Sequence, residues 1–207
     1  VPKPGPDSHH LQARPAVFSS RLIVPVSAGA LHGYLMSSLV TLIALYFTAI
    51  NVSQSQIGII ITAVIMGTLV AQVPIGKAAD RFGKRPLLLI CAALLALVFA
   101  VMPIYTDWKQ FLVSGALCGA LAGTLYPIGL AMIGEMVSRE RLGAANSLFS
   151  LAFGIGSLTG PAFSGFAMKH FGYQMLFYLP AGLVALFVLE MIFLKGEGAA
   201  SESGGDP

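Results

Sequence analysis

Charge is the property that this sequence lacks most. Only 10% of its 207 residues are Asp, Glu, Lys or Arg, and 56% are hydrophobic, whereas soluble domains carry about 25% charged residues. With a mean hydropathy of +0.81, the chain is not expected to be a water-soluble globule. Cysteine is scarce too: Cys91 and Cys118 both lie inside apolar runs, where free cysteine behaves as a small hydrophobe.

The patterns that carry catalysis are missing as well. The sequence has no phosphate-binding loop, no cluster with metal-ligand spacing and no nucleophile paired with a base. The glycine string at 154–160 has the wrong spacing for a dinucleotide fingerprint. A channel would show a polar filter or a ring of like charge, and the sequence has neither. We therefore expect no enzyme, no cofactor and no metal site.

What the sequence does have is six long apolar runs. They cover residues 22–50, 56–76, 86–105, 110–137, 142–168 and 173–194. About 20 helical residues, at about 1.5 Å each, span the roughly 30 Å hydrocarbon core of a bilayer. The sequence therefore predicts an all-α membrane protein with six transmembrane helices, in a domain over residues 21–195. Residues 1–20 are predicted to be a cytoplasmic linker, and residues 196–207 a disordered cytoplasmic tail.

The positions of the basic residues predict the orientation in the membrane. The net charge of +3 and the pI of about 9.0 would suit a nucleic-acid partner. However, ten of the 12 Lys and Arg residues fall on one side if the runs alternate across a membrane, and Lys109 and Lys169 fall on the other. The positive-inside rule then places both termini in the cytoplasm. The basic residues are explained by topology, so no nucleic-acid partner is expected.

An internal repeat indicates the architecture. When the chain is shifted by 89 residues, Gly67 aligns with Gly156, and Gly83 aligns with Gly172, each of the latter two preceded by a phenylalanine. This shift spans three membrane segments, an odd number, so the second copy is inverted relative to the first. Inverted 3+3 repeats are typical of secondary transporters, whose substrate site lies near the membrane midplane.

The densest group of charges lies between the second and third runs, in the segment IGKAADRFGKRP at 75–86, called the charged loop below. Its glycine, acid and base positions are Gly76, Asp80, Arg81, Gly83, Lys84 and Arg85. This pattern resembles the signature loop of the major facilitator superfamily. The segments 156–161 and 141–146 are similar to the family's glycine-proline motif and to the start of the helices that carry it. The resemblance extends over about residues 20–195.

Members of this family have twelve helices in two six-helix halves, and this chain resembles the C-terminal half of a bacterial inner-membrane member. The resemblance implies a secondary active transporter that moves a small solute across the cell membrane by alternating access. Its expected partners are the lipid bilayer, the solute and an N-terminal six-helix half. The alternative is a six-helix scaffold or regulatory subunit that does not transport, and a homodimer of six-helix chains also stays open.

The resemblance further implies that the charged loop is a conformational latch at the cytoplasmic mouth. We expect Gly76 to let two helices approach closely and Gly83 to permit a tight reversal of the chain. Asp80 ends the second helix, and its carboxylate suits the positive N-terminal end of a neighbouring helix. The positive-inside rule asks for no acid at this position, which favours a role for Asp80 beyond topology.

The basic residues of the charged loop need an acidic partner in such a latch. Glu135, at the cytoplasmic end of the fourth run, is the expected partner of Arg81 and Arg85. Glu140, in the next loop, is the second candidate. The alternative is that these basic residues only set the topology.

The first and fourth helices of each half line the central cavity in the family's fold, and they supply the substrate-binding candidates. His32 lies about 15 Å from the start of the first helix, near the midplane, where an ionisable residue is a functional candidate. The alternative is a neutral histidine bonded to a backbone carbonyl or a serine. Tyr126 precedes Pro127, which removes a backbone donor at a depth where irregular backbone lines cavities. Tyr126 could hydrogen-bond or stack on a solute, and the alternative is ordinary packing. Gln72 and Asn146 are candidates nearer the cytoplasmic ends.

A coupling proton would need a carrier, and the sequence places no acidic residue near mid-depth. Glu190 lies near the inner end of the sixth run, where it could pair with Lys195 or carry a proton. If transport is coupled to a proton, the carrier is therefore expected to be His32 or a group in the missing half.

Small residues at four-residue spacing predict close packing of the fourth and fifth helices with their neighbours. Such spacing places the glycines on one helix face, where two backbones can approach each other. The predicted packing residues are Gly115, Gly119, Gly123, Gly156, Gly160 and Pro161.

Overall fold

The computed structural model describes residues 22–202, and side chains as far as residue 194. Its helices are α1 (Ile23–Ala49), α2 (Gln54–Phe82), α3 (Lys84–Val101), α4 (Trp108–Ala122), α5 (Leu125–Met136), α6 (Leu142–Phe171) and α7 (Met175–Glu202), with a 3-10 turn at Met102–Ile104. No strand occurs among the described residues. The predicted linker at 1–20 lies outside them.

Six segments are long and apolar enough to cross a membrane within the described part of the chain, and α4 and α5 together form the fourth of them. The all-helical membrane fold predicted from the six apolar runs is therefore confirmed. The structure differs at the predicted tail, because α7 continues to Glu202. A helix that has already formed extends at one hydrogen bond per residue without a new nucleation cost. Residues 203–207 of that tail lie outside the described residues.

The packing of the helices has the symmetry of the repeat. α1 packs chiefly against α6, α2 chiefly against α4, and α3 chiefly against α7. The repeat relates α1 to the fourth span, α2 to α6, and α3 to α7. It therefore relates the α1–α6 pair to the α4–α2 pair, and it relates the α3–α7 pair to itself. The inverted 3+3 repeat predicted from the sequence is therefore visible in the tertiary structure.

Two helix crossings show this symmetry at single residues. A Cβ at Gly156 of α6 would overlap the backbone carbonyl of Ala30 in α1, and a Cβ at Gly67 of α2 would overlap that of Ala116 in α4. The two glycines are 89 residues apart, and the two alanines are 86 residues apart. Each crossing therefore requires a glycine because one backbone rests directly on the other.

The same crossings contain a second glycine each, now on the other helix of the pair. A Cβ at Gly119 of α4 would overlap the carbonyl of Val64, and a Cβ at Gly33 of α1 would overlap the carbonyl of Phe153. The offsets are again 86 residues between the glycines and 89 between their neighbours. Matching positions in the second and fifth spans are therefore 89 residues apart, whereas matching positions in the first and fourth spans are 86 residues apart.

The buried core is largely aromatic at one end of the bundle. Phe47 of α1, Phe111 of α4 and Phe177 of α7 are fully buried, and the rings of Phe47 and Phe111 meet edge to face at 5.0 Å. Such pairs contribute about 0.5–1.5 kcal/mol beyond the area they bury. A smaller cluster around Phe149 of α6 lies beside α5. The two clusters hold α1 in the centre of the bundle.

The fourth span is interrupted at Gly123 and Thr124, where α4 ends and α5 begins. Pro127 lies in the first turn of α5 and has no N–H, so it cannot continue the helical hydrogen bonds of α4. The Thr124 hydroxyl instead donates to the carbonyl of Leu121 at 2.7 Å. The break falls near the middle of a span of 29 residues, which puts irregular backbone near the midplane.

Candidate functional site

A cavity of about 350 Å³, called the loop cavity below, lies between α2 and the fourth span. Asp80 and Lys84 line the end at the charged loop, Gly123 and Thr124 line the end at the break, and Gln72 lies between them. Its volume is within the roughly 300–1,000 Å³ of small-molecule sites. The loop cavity therefore connects the predicted latch with the irregular backbone of the fourth span.

The two glycines of the charged loop have different surroundings. Gly83 has a φ of 92° and joins α2 to α3, a conformation that side chains with a Cβ rarely adopt. The close helix approach expected at Gly76 is not found, because a Cβ there would have no neighbour within 4 Å among the described residues. Gly76 instead lines the loop cavity, and its lack of a side chain leaves that space open.

Glu135 contacts the charged loop as expected, but the base that it pairs with is not the expected one. Glu135 pairs with Lys84 at 2.5 Å and not with Arg81 or Arg85. Asp80, whose side chain is 79% exposed, lies 3.9 Å from the same Lys84 nitrogen. Lys84 begins α3, Asp80 lies near the end of α2, and Glu135 lies near the end of α5. One lysine therefore joins three helices.

The two arginines of the charged loop have other contacts. Arg85 donates from Nη2 to the backbone carbonyl of Met191 in α7, at 3.0 Å. The guanidinium of Arg81 lies 5.3 Å from the ring centre of Phe82, within the range of a cation–π contact. No sequence pattern signals the Arg85 contact, because a backbone carbonyl can accept a hydrogen bond whatever its side chain is. Together, Lys84 and Arg85 tie the start of α3 to α5 and α7.

His32 lies against the break in the fourth span. Its Nδ1 is 3.1 Å from the carbonyl oxygen of Ala122, the last residue of α4. A carbonyl accepts and does not donate, so Nδ1 carries the proton of this hydrogen bond. The bond satisfies one of the carbonyls that a helix leaves open at its C-terminus. The hydrogen bond to the backbone carbonyl occupies Nδ1 and leaves Nε2 for another partner.

Tyr126 shares the His32 side of the break. The ring centres of the two residues are 5.7 Å apart, and Phe153 of α6 lies 6.0 Å from His32 and 5.4 Å from Tyr126. His32, Tyr126 and Phe153 are called the aromatic cluster below. All three side chains are partly exposed, so a solute beside the break could reach them.

The other two substrate-binding candidates lie apart from the aromatic cluster. Gln72 is exposed and lines the loop cavity, on the α2 side of the break. Asn146, in the first turns of α6, has a buried Oδ1 with no hydrogen-bond partner among the described residues. The four candidates thus form no single constellation: two meet on one side of the break, one lies on the other side, and one lies towards the end of the bundle.

The remaining packing residues contact the helices that cross them. A Cβ at Gly115 would meet the side chain of Val64, one at Gly123 would meet that of Thr68, and one at Gly160 would meet the carbonyl of Tyr34. Pro161 lies inside α6.

An interhelical hydrogen bond strengthens the α2–α4 crossing and was not anticipated from the sequence. The Thr68 hydroxyl lies 3.1 Å from the carbonyl of Val64, in its own helix, and 3.0 Å from that of Gly119 in α4. Threonine often bonds a carbonyl four residues earlier, so its position alone does not reveal the second acceptor. The bond joins the same two helices whose backbones touch at Gly67 and Gly119.

Comparison with known proteins gives the family. The family model described as Major Facilitator Superfamily matches residues 26–205. The uncharacterised MFS-type transporter YcaD of Escherichia fergusonii is 31% identical over 167 residues, which cover 81% of this chain and 43% of the relative. An uncharacterised MFS-type transporter of Yersinia enterocolitica is 30% identical over 190 residues, covering 91% and 48%. The chain spans less than half the length of these relatives.

Solved structures share the fold. The POT family transporter PepTSo superposes with a TM-score of 0.72 at 14% identity, over 86% of this chain and 38% of that one. An auto-inhibited POT family peptide transporter gives 0.72 at 17% identity, over 84% and 37%. At these identities the likeness concerns the fold alone. The match of the family model over residues 26–205 shows that the chain belongs to the major facilitator superfamily.

Proposed function

We propose that this chain is one half of a secondary active transporter that moves a small solute by alternating access. The observation that carries the proposal is the break at Gly123 and Thr124, which lies between the loop cavity and the aromatic cluster. Irregular backbone at membrane depth is tolerated where it lines a cavity, and broken helices near the midplane form the substrate sites of many carriers. The relatives are named transporters and are about twice as long, which supports a second six-helix unit that completes the path.

The solute site in this proposal lies on the His32 side of the break. His32 uses Nδ1 for the Ala122 carbonyl, so Nε2 remains for a solute or for a coupling proton. The Tyr126 hydroxyl is the second polar group there. Phe153 supplies an apolar ring surface, so the site suits a solute with both a hydrogen-bonding group and a flat or apolar part. Gln72 would meet the solute on its way through the loop cavity.

The charged loop is the latch of this proposal. In this proposal the chain lies in a bacterial inner membrane with both termini on the cytoplasmic side. The Lys84–Glu135 pair and Asp80 then lie at the cytoplasmic mouth. Contacts made in one state and broken in the other bias the equilibrium between them. An interaction of about 1 kcal/mol, the upper end for an exposed ion pair, changes the ratio of the two states by roughly fivefold.

A ligand screen followed by flux measurements tests the proposed function. Full-length protein in detergent is heated with a panel of small solutes, since a bound solute raises the unfolding temperature. Solutes that stabilise the protein are then measured for uptake into proteoliposomes. We expect at least one to be transported, with stabilisation reduced in His32→Gln and Tyr126→Phe and retained in the control Glu140→Gln. Stabilising solutes that are never transported would favour the non-transporting scaffold or regulatory subunit.

A further inference from the structure

A second cavity of about 350 Å³, called the lateral groove below, lies between α1, α6 and α7. Its floor is the first half of α1, from Ser27 to Tyr34, and its walls are the middle of α6 and the middle of α7. Leu186 and Ile155 on these walls are 62% and 55% exposed, so the lateral groove opens at the surface of the bundle. It shares no lining residue with the loop cavity.

The lateral groove contains one carboxylate in an apolar lining. The Ser27 hydroxyl hydrogen-bonds the carboxylate of Glu190, whereas the other carboxylate oxygen, Oε1, is buried and has no partner among the described residues. The Thr159 hydroxyl donates its hydrogen bond to the carbonyl of Ile155, at 2.8 Å, and not to Glu190. The other residues that line the groove, all of them described, are apolar apart from Tyr34.

A buried carboxylate oxygen without a partner costs free energy, because it has lost water and gained nothing in exchange. The charge of Glu190 has no basic neighbour among the described residues of the groove lining. An ammonium group placed at Oε1 would supply both a hydrogen bond and the opposite charge. The apolar walls at Leu186 and Phe187 would bury a hydrocarbon or aromatic body, and about 350 Å³ holds a small organic molecule.

We propose that the lateral groove binds an organic cation, with its ammonium group on Glu190 and its apolar body between α6 and α7. This site lies outside the path proposed for the transported solute, so a bound cation would act on the bundle from the side. Because α1 forms the floor of the groove and also carries His32, occupancy would fix α1 relative to α6 and α7.

Two probes that differ in charge test the proposal. Full-length protein in phosphatidylcholine nanodiscs is dialysed against 4-phenylbutylamine, which is protonated at pH 7, and against 4-phenylbutan-1-ol, which has a similar shape and no charge. Nanodiscs without protein give the background of partition into lipid. Hydrogen bonds to charged groups are roughly twice as strong as neutral ones, so we expect the amine to bind at least about tenfold more tightly than the alcohol.

Variants locate the binding in the lateral groove. Glu190→Gln keeps the size of the side chain and removes its charge, so the preference for the amine should vanish. Glu140→Gln makes the same change of charge in the loop after α5 and should leave the preference intact. If Glu190→Gln does not fold, Leu186→Trp is measured in its place, since the indole fills the groove from its exposed wall and should weaken the binding of both probes.

The outcomes are distinct. A preference for the amine that is lost in Glu190→Gln, or binding lost in Leu186→Trp, supports the cation site. Equal binding of the two probes, or a preference that Glu190→Gln retains, overturns it. A Leu186→Trp protein that still binds the amine fully would also overturn it. None of these results bears on solute transport, because the lateral groove contains neither the aromatic cluster nor the charged loop.

Discussion

The two turns of the inverted repeat share a backbone conformation and differ in charge. Gly83 ends α2 and Gly172 ends α6, with φ angles of 92° and 100°. Their N–H groups donate to the carbonyls of Ala79 and Met168, which are 89 residues apart, as the two glycines are. The turn is therefore a property of the repeat.

The residues that follow the turn are where the copies diverge. In the first copy, Lys84 reaches Glu135 and Arg85 reaches the carbonyl of Met191. The second copy has a tyrosine and a glutamine at the two basic positions. Since the second turn forms without these charges, they are not needed to build the first turn. The difference indicates that the charges of the first copy have another role.

The largest expected effect comes from changing the helix crossings that the two copies share. Gly156→Ala and Gly67→Ala each place a Cβ on a backbone carbonyl, of Ala30 and Ala116, so the helices must separate. We expect each to lower the free energy of unfolding by about 3 kcal/mol, and by similar amounts because the crossings are equivalent. Denaturation followed by the fluorescence of the single tryptophan measures both.

Two glycines with open surroundings are the controls for this prediction. A Cβ at Gly154 of α6 or at Gly58 of α2 would have no neighbour within 4 Å in the described part of the chain. Gly154→Ala and Gly58→Ala should therefore leave the stability unchanged or raise it by up to about 1 kcal/mol, through helix propensity. A loss as large as that of Gly156→Ala would contradict the account of the crossings.

The next effect concerns the turns themselves. Gly83→Ala and Gly172→Ala force a Cβ into a backbone conformation with positive φ, at a cost of about 1–3 kcal/mol. The same denaturation measurement should give similar losses for both variants. A loss confined to Gly83→Ala would show that the second turn relaxes, and the turn would then no longer be a common property of the repeat.

A smaller effect on stability is expected from the charges of the first copy. Glu135→Gln removes the partner of Lys84, and because the Glu135 side chain is 63% exposed, the loss in unfolding free energy should stay below about 1 kcal/mol. It should shrink further in about 1 M salt, where charges are screened within about 3 Å. A loss of several kcal/mol would mean that the pair holds the fold together and is not poised to open.

The sequence predicted the spans because hydropathy averaged over some 20 residues is insensitive to any one contact. It also predicted the inverted repeat, since Gly67 and Gly156, and likewise Gly83 and Gly172, serve the same backbone geometry in both copies. Pro127 pointed to irregular backbone in the fourth span, and the break at Gly123 and Thr124 has that cause.

The contacts of long side chains could not be predicted in the same way. Lys84 and Arg85 are neighbours at the start of α3, and the orientation of α3 decides which of them meets Glu135. The contact between Ser27 and Glu190 depends on α1 meeting α7, two helices far apart in sequence. The open surroundings of Gly76 also follow from tertiary packing, which a motif does not encode.

The most direct test of the central claim compares the first turn with its counterpart in one labelling experiment. Gln72 is exposed in the loop cavity, whereas the native Cys91 and Cys118 are buried, so Gln72→Cys reports access to the loop cavity. Its reaction with a membrane-impermeant maleimide is measured in full-length protein, alone and combined with Asp80→Asn or with Lys169→Gln, the matching position of the second copy. If the charged loop is a latch, Asp80→Asn should raise the labelling rate by up to about fivefold, and Lys169→Gln should leave it unchanged. Equal labelling rates in all three proteins would contradict the latch. Setting the topology would then be the only role left for the charges of the first copy.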